Sequence, residues 1–114
     1  MRDPDPYYLG IALKVSLAAT CPRLSVGAVL VKDNHIIATG FNGSETGAPH
    51  CTDVGCLMVA DHCTRPIHAE ENTLLQCALH GVSSKGATMY CTHEPCDRCI
   101  RRMKNAGVTR WVTF

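Results

Sequence analysis

Two short motifs hold the residues best suited to chemistry: His68-Ala69-Glu70 and Pro95-Cys96-Asp97-Arg98-Cys99. Cys96 and Cys99 are three apart, which puts both sulfurs on one face of a helical turn. Two thiolates and one imidazole suit zinc and leave a fourth tetrahedral position for water, as in a catalytic centre and unlike a closed structural one. Such a set is formally neutral with zinc, so its water is acidified less than in an all-His site. A carboxylate placed to take the water proton then becomes useful, and Glu70 is the candidate. An isolated C-x-x-C fits a structural half-site or a redox pair equally well. The His-x-Glu upstream favours the catalytic reading.

His68 and Glu70 are two apart and would point to different sides of a helix interior. They serve one site only if it lies off a helix N-terminus. Proline at position 95 puts the cysteine pair at a helix start as well. Two positive helix ends facing one metal would favour thiolates and bound hydroxide.

The elements that must position these residues read as an α/β order. Asp5-Pro6 offers an N-cap and first helical position, and Tyr8, Ile11, Ala12, Val15, Ala18 and Ala19 recur at helical spacing. The spacing predicts a helix over about 6–20, stopped by Pro22. Val26–Val31 and Ile36–Phe41 flank Lys32-Asp33-Asn34-His35 and read as an antiparallel hairpin. The first run is apolar almost throughout, as expected of a strand covered on both faces. A second helix is predicted over about 68–80, with Leu74, Leu75, Ala78 and Leu79 as its apolar side and Gly81 as C-cap. A third strand over 87–92, a third helix from 95 or 96 to about 107, and a fourth strand over 109–114 follow. Between them, 40–66 is a long irregular stretch containing Cys51, Cys56 and Cys63. A loop of that length in a compact domain needs a reason, and a metal clip is one.

With 114 residues, 46% of them apolar and 18% charged, the chain has the composition of one globular domain. A formal charge of +1 does not suggest a duplex-coating protein. The one basic cluster, Arg98, Arg101, Arg102 and Lys104, reads as a solvated helix face. The first ten residues hold no apolar signal core and no stretch is long enough to span a membrane, so the cytoplasm is the expected location and no membrane partner is expected. There thiols stay reduced, and eight Cys with six His read as metal ligands before disulfides.

H-x-E paired with P-C-x-x-C is the signature of zinc deaminases. These residues resemble the cytidine and deoxycytidylate deaminase superfamily, and within it the deoxycytidylate (dCMP) deaminases, including the bacterial late-competence type. Val26-Gly-Ala-Val29, Gly40-Phe-Asn-Gly-Ser44, His68-Ala-Glu-Glu-Asn72 and Met89–Cys99 carry the likeness, which extends over about 7–114. The resemblance implies a three-layer α-β-α sandwich with a mixed four-stranded sheet, one domain over 1–114, and a zinc-clipped loop at about 43–66. It implies hydrolytic deamination of dCMP to dUMP, with zinc on His68, Cys96 and Cys99 and Glu70 moving protons. Asn42, Ser25, Ser44, Ala69, Thr92 and His93 become candidate substrate contacts.

The resemblance also implies a second, structural zinc. Cys21 and Cys51 match positions that bind one in relatives, and Cys21, Cys51, Cys56 and Cys63 form the first-choice set, with His62 competing for the last place and His50 a further candidate. Glu45 stands where the family often carries proline, and a carboxylate there would repel a triphosphate effector. Family members usually continue past the last strand, so pocket closure and subunit contacts are expected to differ, and an open sheet edge favours a homo-oligomer. The alternative is a deaminase acting on cytosine or adenine in single-stranded DNA or tRNA, on the same chemistry. Most of the six aromatics fall at predicted core positions, which opposes a base-stacking cleft. A zinc-stapled binding module is the non-enzymatic reading, and Glu70 opposes it.

Overall fold

The structure is a computed structural model describing residues 3–59 and 62–114, with backbone only for 62 and 63. The elements run α1 (Pro4–Ser16), β1 (Gly27–Lys32), β2 (His35–Phe41), α2 (Cys51–Val54), β3 (Met58–Val59), β4 (His62–Cys63), α3 (Ala69–His80), β5 (Thr88–Cys91), α4 (Asp97–Asn105) and β6 (Arg110–Val112). The main sheet has the order β2-β1-β5-β6. β1 pairs antiparallel with both β2 and β5, and β5 pairs parallel with β6, so the sheet is mixed as expected.

β1 lies between two helical layers. Val29 and Val31 pack with Tyr8, Leu9 and Ala12 of α1 on one face. Ala28 and Leu30 pack with Ala69 and Cys77 of α3 and Met103 of α4 on the other. Alternate residues of β1 thus face alternate layers, and both must be apolar. The β1–β2 turn places Asp33 and Asn34 at positive φ, 52° and 61°. These are residue types that tolerate the left-handed region a tight hairpin turn demands.

Three expectations are corrected. The first helix starts and ends earlier than 6–20, because Asp3, not Asp5, is its N-cap and accepts from the Asp5 amide. Its end tightens into i→i−3 bonds from Leu17, Ala18 and Ala19, well before Pro22. The buried face of α3 is Ala69, Glu70, Thr73 and Cys77, while Leu75 and Leu79 are exposed. Close approach to the sheet selects small side chains there. A Cβ on Gly40 of β2 would meet the Thr73 hydroxyl and lie 2.7 Å from the Ala69 carbonyl oxygen. The third helix starts at Asp97, leaving Pro95 before its N-cap.

The stretch over 40–66 is less irregular than expected. It contains α2 and a two-stranded ribbon of β3 and β4. Gly43 and Ile67 exchange backbone hydrogen bonds of 3.2 and 2.7 Å, which return the chain to the start of α3. Among the described residues, no helix is long and apolar enough to cross a membrane.

Candidate active site

Two helix N-termini supply the candidate metal-ligating side chains. His68 is the N-cap of α3, with extended backbone (φ −63°, ψ 149°), and its carbonyl accepts the Asn72 amide at 2.9 Å. Cys96 is the N-cap of α4, also extended (φ −74°, ψ 163°), and its carbonyl accepts the Ile100 amide at 3.0 Å. Because Cys96 is the cap and Cys99 the third helical residue, their side chains converge as in a capping box, which brings cap and third position together. The extended conformation of His68 frees its ring from the helix, so His68 and Glu70 reach one site.

His68 Nδ1 lies 3.6 Å from Cys96 Sγ and 3.4 Å from Cys99 Sγ. All three ligand atoms fall within 4.8 Å of one another. Zinc–ligand bonds of about 2.0 Å to nitrogen and about 2.3 Å to sulfur, at tetrahedral angles, require N···S separations of about 3.5 Å. The triangle therefore fits zinc in size and donor set. Cys99 is buried, and burial, reinforced by the charge of Glu70, pushes its thiol well above the usual range. A bound cation reverses that preference, so binding must expel a proton.

Glu70 is the second residue of α3 and only 4% exposed. Burial raises its pKa, while the Cys99 thiol and the His68 ring oppose the rise. A carboxylate whose pKa burial raises, beside a candidate metal triangle, accepts a proton more readily than a free one.

Glu70 lines a cleft of about 720 Å³, whose other lining residues include Asn42, Ala69, His93, Arg23 and Arg98. That volume falls within the range of small-molecule sites. Asn42 is buried; its carbonyl oxygen accepts from the Val26 amide at 2.8 Å and its amide donates to the Leu24 carbonyl at 2.7 Å. One N–H and one lone pair of that side chain stay available to a ligand. Thr92 does not line the cleft. Its hydroxyl takes the Gly27 amide at 3.1 Å and contacts His93 Nδ1 at 2.9 Å, so it orients His93. Ser25 and Ser44 are also outside the lining, and Ser44 donates to the Pro49 carbonyl.

Sequence reasoning missed Arg23 and Glu71. Arg23 is exposed on the cleft and makes no hydrogen bond or ion pair among the described residues. Glu71 accepts from Arg98 at 3.0 Å and lies 3.7 Å from Arg102, which takes two members of the basic cluster out of a purely solvated role. Residue type alone held no sign of either, since both depend on how α3, α4 and the 21–26 segment meet.

A second group forms at the edge of the same cleft. The sulfurs of Cys21, Cys51 and Cys56 lie within 4.8 Å of one another, with Cys21 and Cys56 at 3.9 Å. Tetrahedral zinc thiolates require S···S separations of about 3.8 Å. The side chains of Cys63 and His62 lie outside the described residues. His50 instead engages Thr20, its Nδ1 2.9 Å from the hydroxyl.

Comparison with known proteins places this geometry. Residues 2–114 match the family described as cytidine and deoxycytidylate deaminase zinc-binding region. The chain is 50% identical over 104 residues to ComE operon protein 2 of Bacillus subtilis, covering 91% of the chain and 55% of that protein. It is 37% identical over 121 residues to the deoxycytidylate deaminase of Mycobacterium phage D29, covering 96% and 93%. The dCMP deaminase of cyanophage S-TIM5, solved with dCMP and dUMP, superposes with a TM-score of 0.84 at 31% identity, covering 95% of this chain and 78% of that one. The mixed sheet between helical layers is thus a cytidine deaminase-like fold. The chain belongs to the cytidine and deoxycytidylate deaminase family, and it spans about half the length of the Bacillus relative.

Proposed function

We propose that this chain is a zinc-dependent hydrolase that converts dCMP and water to dUMP and ammonia. The observation that carries the reading is the buried carboxylate of Glu70 beside the His68, Cys96 and Cys99 triangle, on the wall of a nucleotide-sized cleft. The dCMP deaminases among its relatives support the choice of substrate.

Zinc on His68 Nδ1, Cys96 Sγ and Cys99 Sγ would supply an acidified water for attack on the ring carbon that bears the amine. Glu70 takes the proton of that water and delivers it to the ring nitrogen. It then takes the proton of the newly formed hydroxyl and passes it to the amine, which leaves as ammonia as the exocyclic C–N bond breaks and the carbonyl forms. Burial, which raises its pKa, eases the protonation that both roles require. Asn42 offers its remaining donor and acceptor to sugar or base, and Ala69 and His93 border the base. Arg23 presents an uncommitted guanidinium to the 5′-phosphate.

A second zinc on Cys21, Cys51 and Cys56, with Cys63 as the fourth ligand, would pin the 43–66 loop to the cleft wall and contribute structure, not catalysis. Exposed Leu75 and Leu79 and the open edge of β2 suit assembly with further copies of the chain, in the cytoplasm.

A side-by-side assay tests the reading. Zinc-loaded protein and its Glu70→Gln variant are offered dCMP, deoxycytidine, dCTP and a cytosine-containing oligonucleotide. Turnover of dCMP well above the others, lost in the variant, is expected. Turnover of the oligonucleotide alone would move the activity to nucleic acid, and no turnover by fully loaded protein would remove the enzymatic reading.

A further inference from the structure

The metal triangle is divided between two helices, His68 on α3 and both cysteines on α4. Something must fix the N-terminus of one against the other to within a few tenths of an ångström. Beside the candidate ligands and Glu70, Glu71 is a polar tie between the two helices. Its Oε1 accepts from both Nε and NH2 of Arg98, at 3.1 and 3.0 Å, and its Oε2 lies 3.7 Å from Arg102 Nε. The Glu71 side chain is only 13% exposed, whereas the arginines are 59% and 49% exposed. The same Oε1 lies 3.8 Å from Cys99 Sγ.

That last contact changes character when metal binds. A Cys99 thiol donates to Glu71. A metal-bound thiolate has no proton to donate, and a bare carboxylate 3.8 Å away would repel it. The two guanidinium groups hold the Glu71 charge on its α4 side and offset it. Groups that orient metal ligands in this way are commonly worth about 10- to 100-fold in metal affinity.

We propose that Glu71 is a positioning residue for the zinc site: clamped by Arg98 and Arg102, it sets the distance from α3 to α4 and keeps Cys99 on the triangle, and Arg98 is needed to make its charge tolerable there. The proposal rests on the zinc reading of His68, Cys96 and Cys99. It concerns residues outside the ligand set and the proton shuttle.

The test is a zinc competition titration against a chromophoric chelator, with His68→Ala as the reference lacking this site, and cobalt substitution to read the ligand field. Wild-type protein that binds no more metal than His68→Ala sinks the zinc reading itself. Given a wild-type site, Glu71→Ala should weaken zinc by about tenfold or more and shift the cobalt absorption bands. Arg98→Ala should weaken it further, since the carboxylate is left beside the thiolate with only Arg102 to offset it. The Glu71→Ala/Arg98→Ala double variant should recover affinity relative to Arg98→Ala alone, which a mere strut between helices would not do. Affinities of both single variants within twofold of wild type, whatever happens to the melting temperature, would overturn the proposal. So would a double variant no tighter than Arg98→Ala.

Discussion

Cys99 Sγ lies 3.4 Å from His68 Nδ1, although 31 positions separate the two residues. Neither is held there by its own helix alone. His68 is placed by the return of the chain at Gly43 and Ile67 and by Asn72, whose amide donates to the Phe41 carbonyl at 2.8 Å. Cys99 is placed by α4 packing through Met103 into the same core as α3. The candidate metal triangle is thus a product of the β2–α3 and α3–α4 contacts.

Zinc stoichiometry should reflect two separable sites. Wild-type protein is expected to hold two ions per chain, His68→Ala one, and Cys51→Ala the other. Cys51→Ala should also lower the melting temperature and make the 43–66 loop more sensitive to protease, since a structural metal contributes folding free energy. Metal analysis after gel filtration checks the counts. One ion in wild-type protein, lost in His68→Ala, would reduce the Cys21 group to packed thiols.

Gly40 is predicted to tolerate no side chain. An added Cβ would meet the hydroxyl of Thr73 and lie 2.7 Å from both the Ala69 oxygen and the Thr73 nitrogen, all on the first turns of α3. Backbone atoms cannot swing aside as a flexible side chain can. Gly40→Ala should therefore cost about 1–3 kcal/mol and push Glu70 away from the triangle. Urea unfolding and kcat, measured together, should both fall; a stable, fully active variant would contradict the close packing of β2 on α3.

The opposite end of the sheet should govern stability at the extremes of pH. Asp5 accepts the Tyr90 hydroxyl at 2.7 Å and pairs with Arg110. The Arg110 hydrogen bonds, then the Tyr90 hydroxyl, hold the Asp5 carboxyl below its usual range. Burial, then Asp5, pushes Tyr90 up to about 12. A depressed carboxylate contributes stability above its unfolded pKa of about 3.9, which is lost as pH falls through the folded value. A raised phenol contributes stability below its unfolded pKa of about 10, which is lost as pH rises toward about 12. Solvent screening around the half-exposed Arg110 limits the Asp5 effect to about 1 kcal/mol. Denaturation midpoints at pH 7 and 11 should converge in Tyr90→Phe, while Asp5→Asn should flatten the acid limb.

The clustering of His68, Cys96 and Cys99 was legible because short motifs fix it locally: H-A-E at one helix start and P-C-x-x-C at another. The sheet was legible because β1 is apolar at every buried position and its turn residues suit a hairpin. The buried side of α3 was not. Leu74, Leu75, Ala78 and Leu79 have the right periodicity, and Leu74 does pack against the core, but the sheet lies so close at Gly40 that the buried positions are Ala69, Glu70, Thr73 and Cys77, with Leu75 and Leu79 left exposed. Asp3 and Asp5 are indistinguishable as caps in a D-P-D-P sequence until Arg110 and Tyr90, 105 and 85 positions away, claim Asp5. Nothing in the sequence marks Glu71, and only the packing of α4 reveals its partners.

Arg23 supplies the last prediction. It stands on the cleft with Cys21 and Leu24, in a segment tied down by both ends of the Asn42 amide. Arg98, the other cleft arginine, is already engaged by Glu71. Among the described residues, an anionic group entering the cleft therefore finds its uncommitted guanidinium at position 23. If the substrate is a nucleoside monophosphate, Arg23→Gln should raise KM for dCMP about tenfold, the loss of one exposed charge-assisted hydrogen bond of about 1.4 kcal/mol. Deoxycytidine, which has no phosphate to lose, should be turned over as before. The ratio of kcat/KM for the two substrates is the measurement. An equal effect on both would mean that Arg23 shapes the cleft wall and does not read the phosphate.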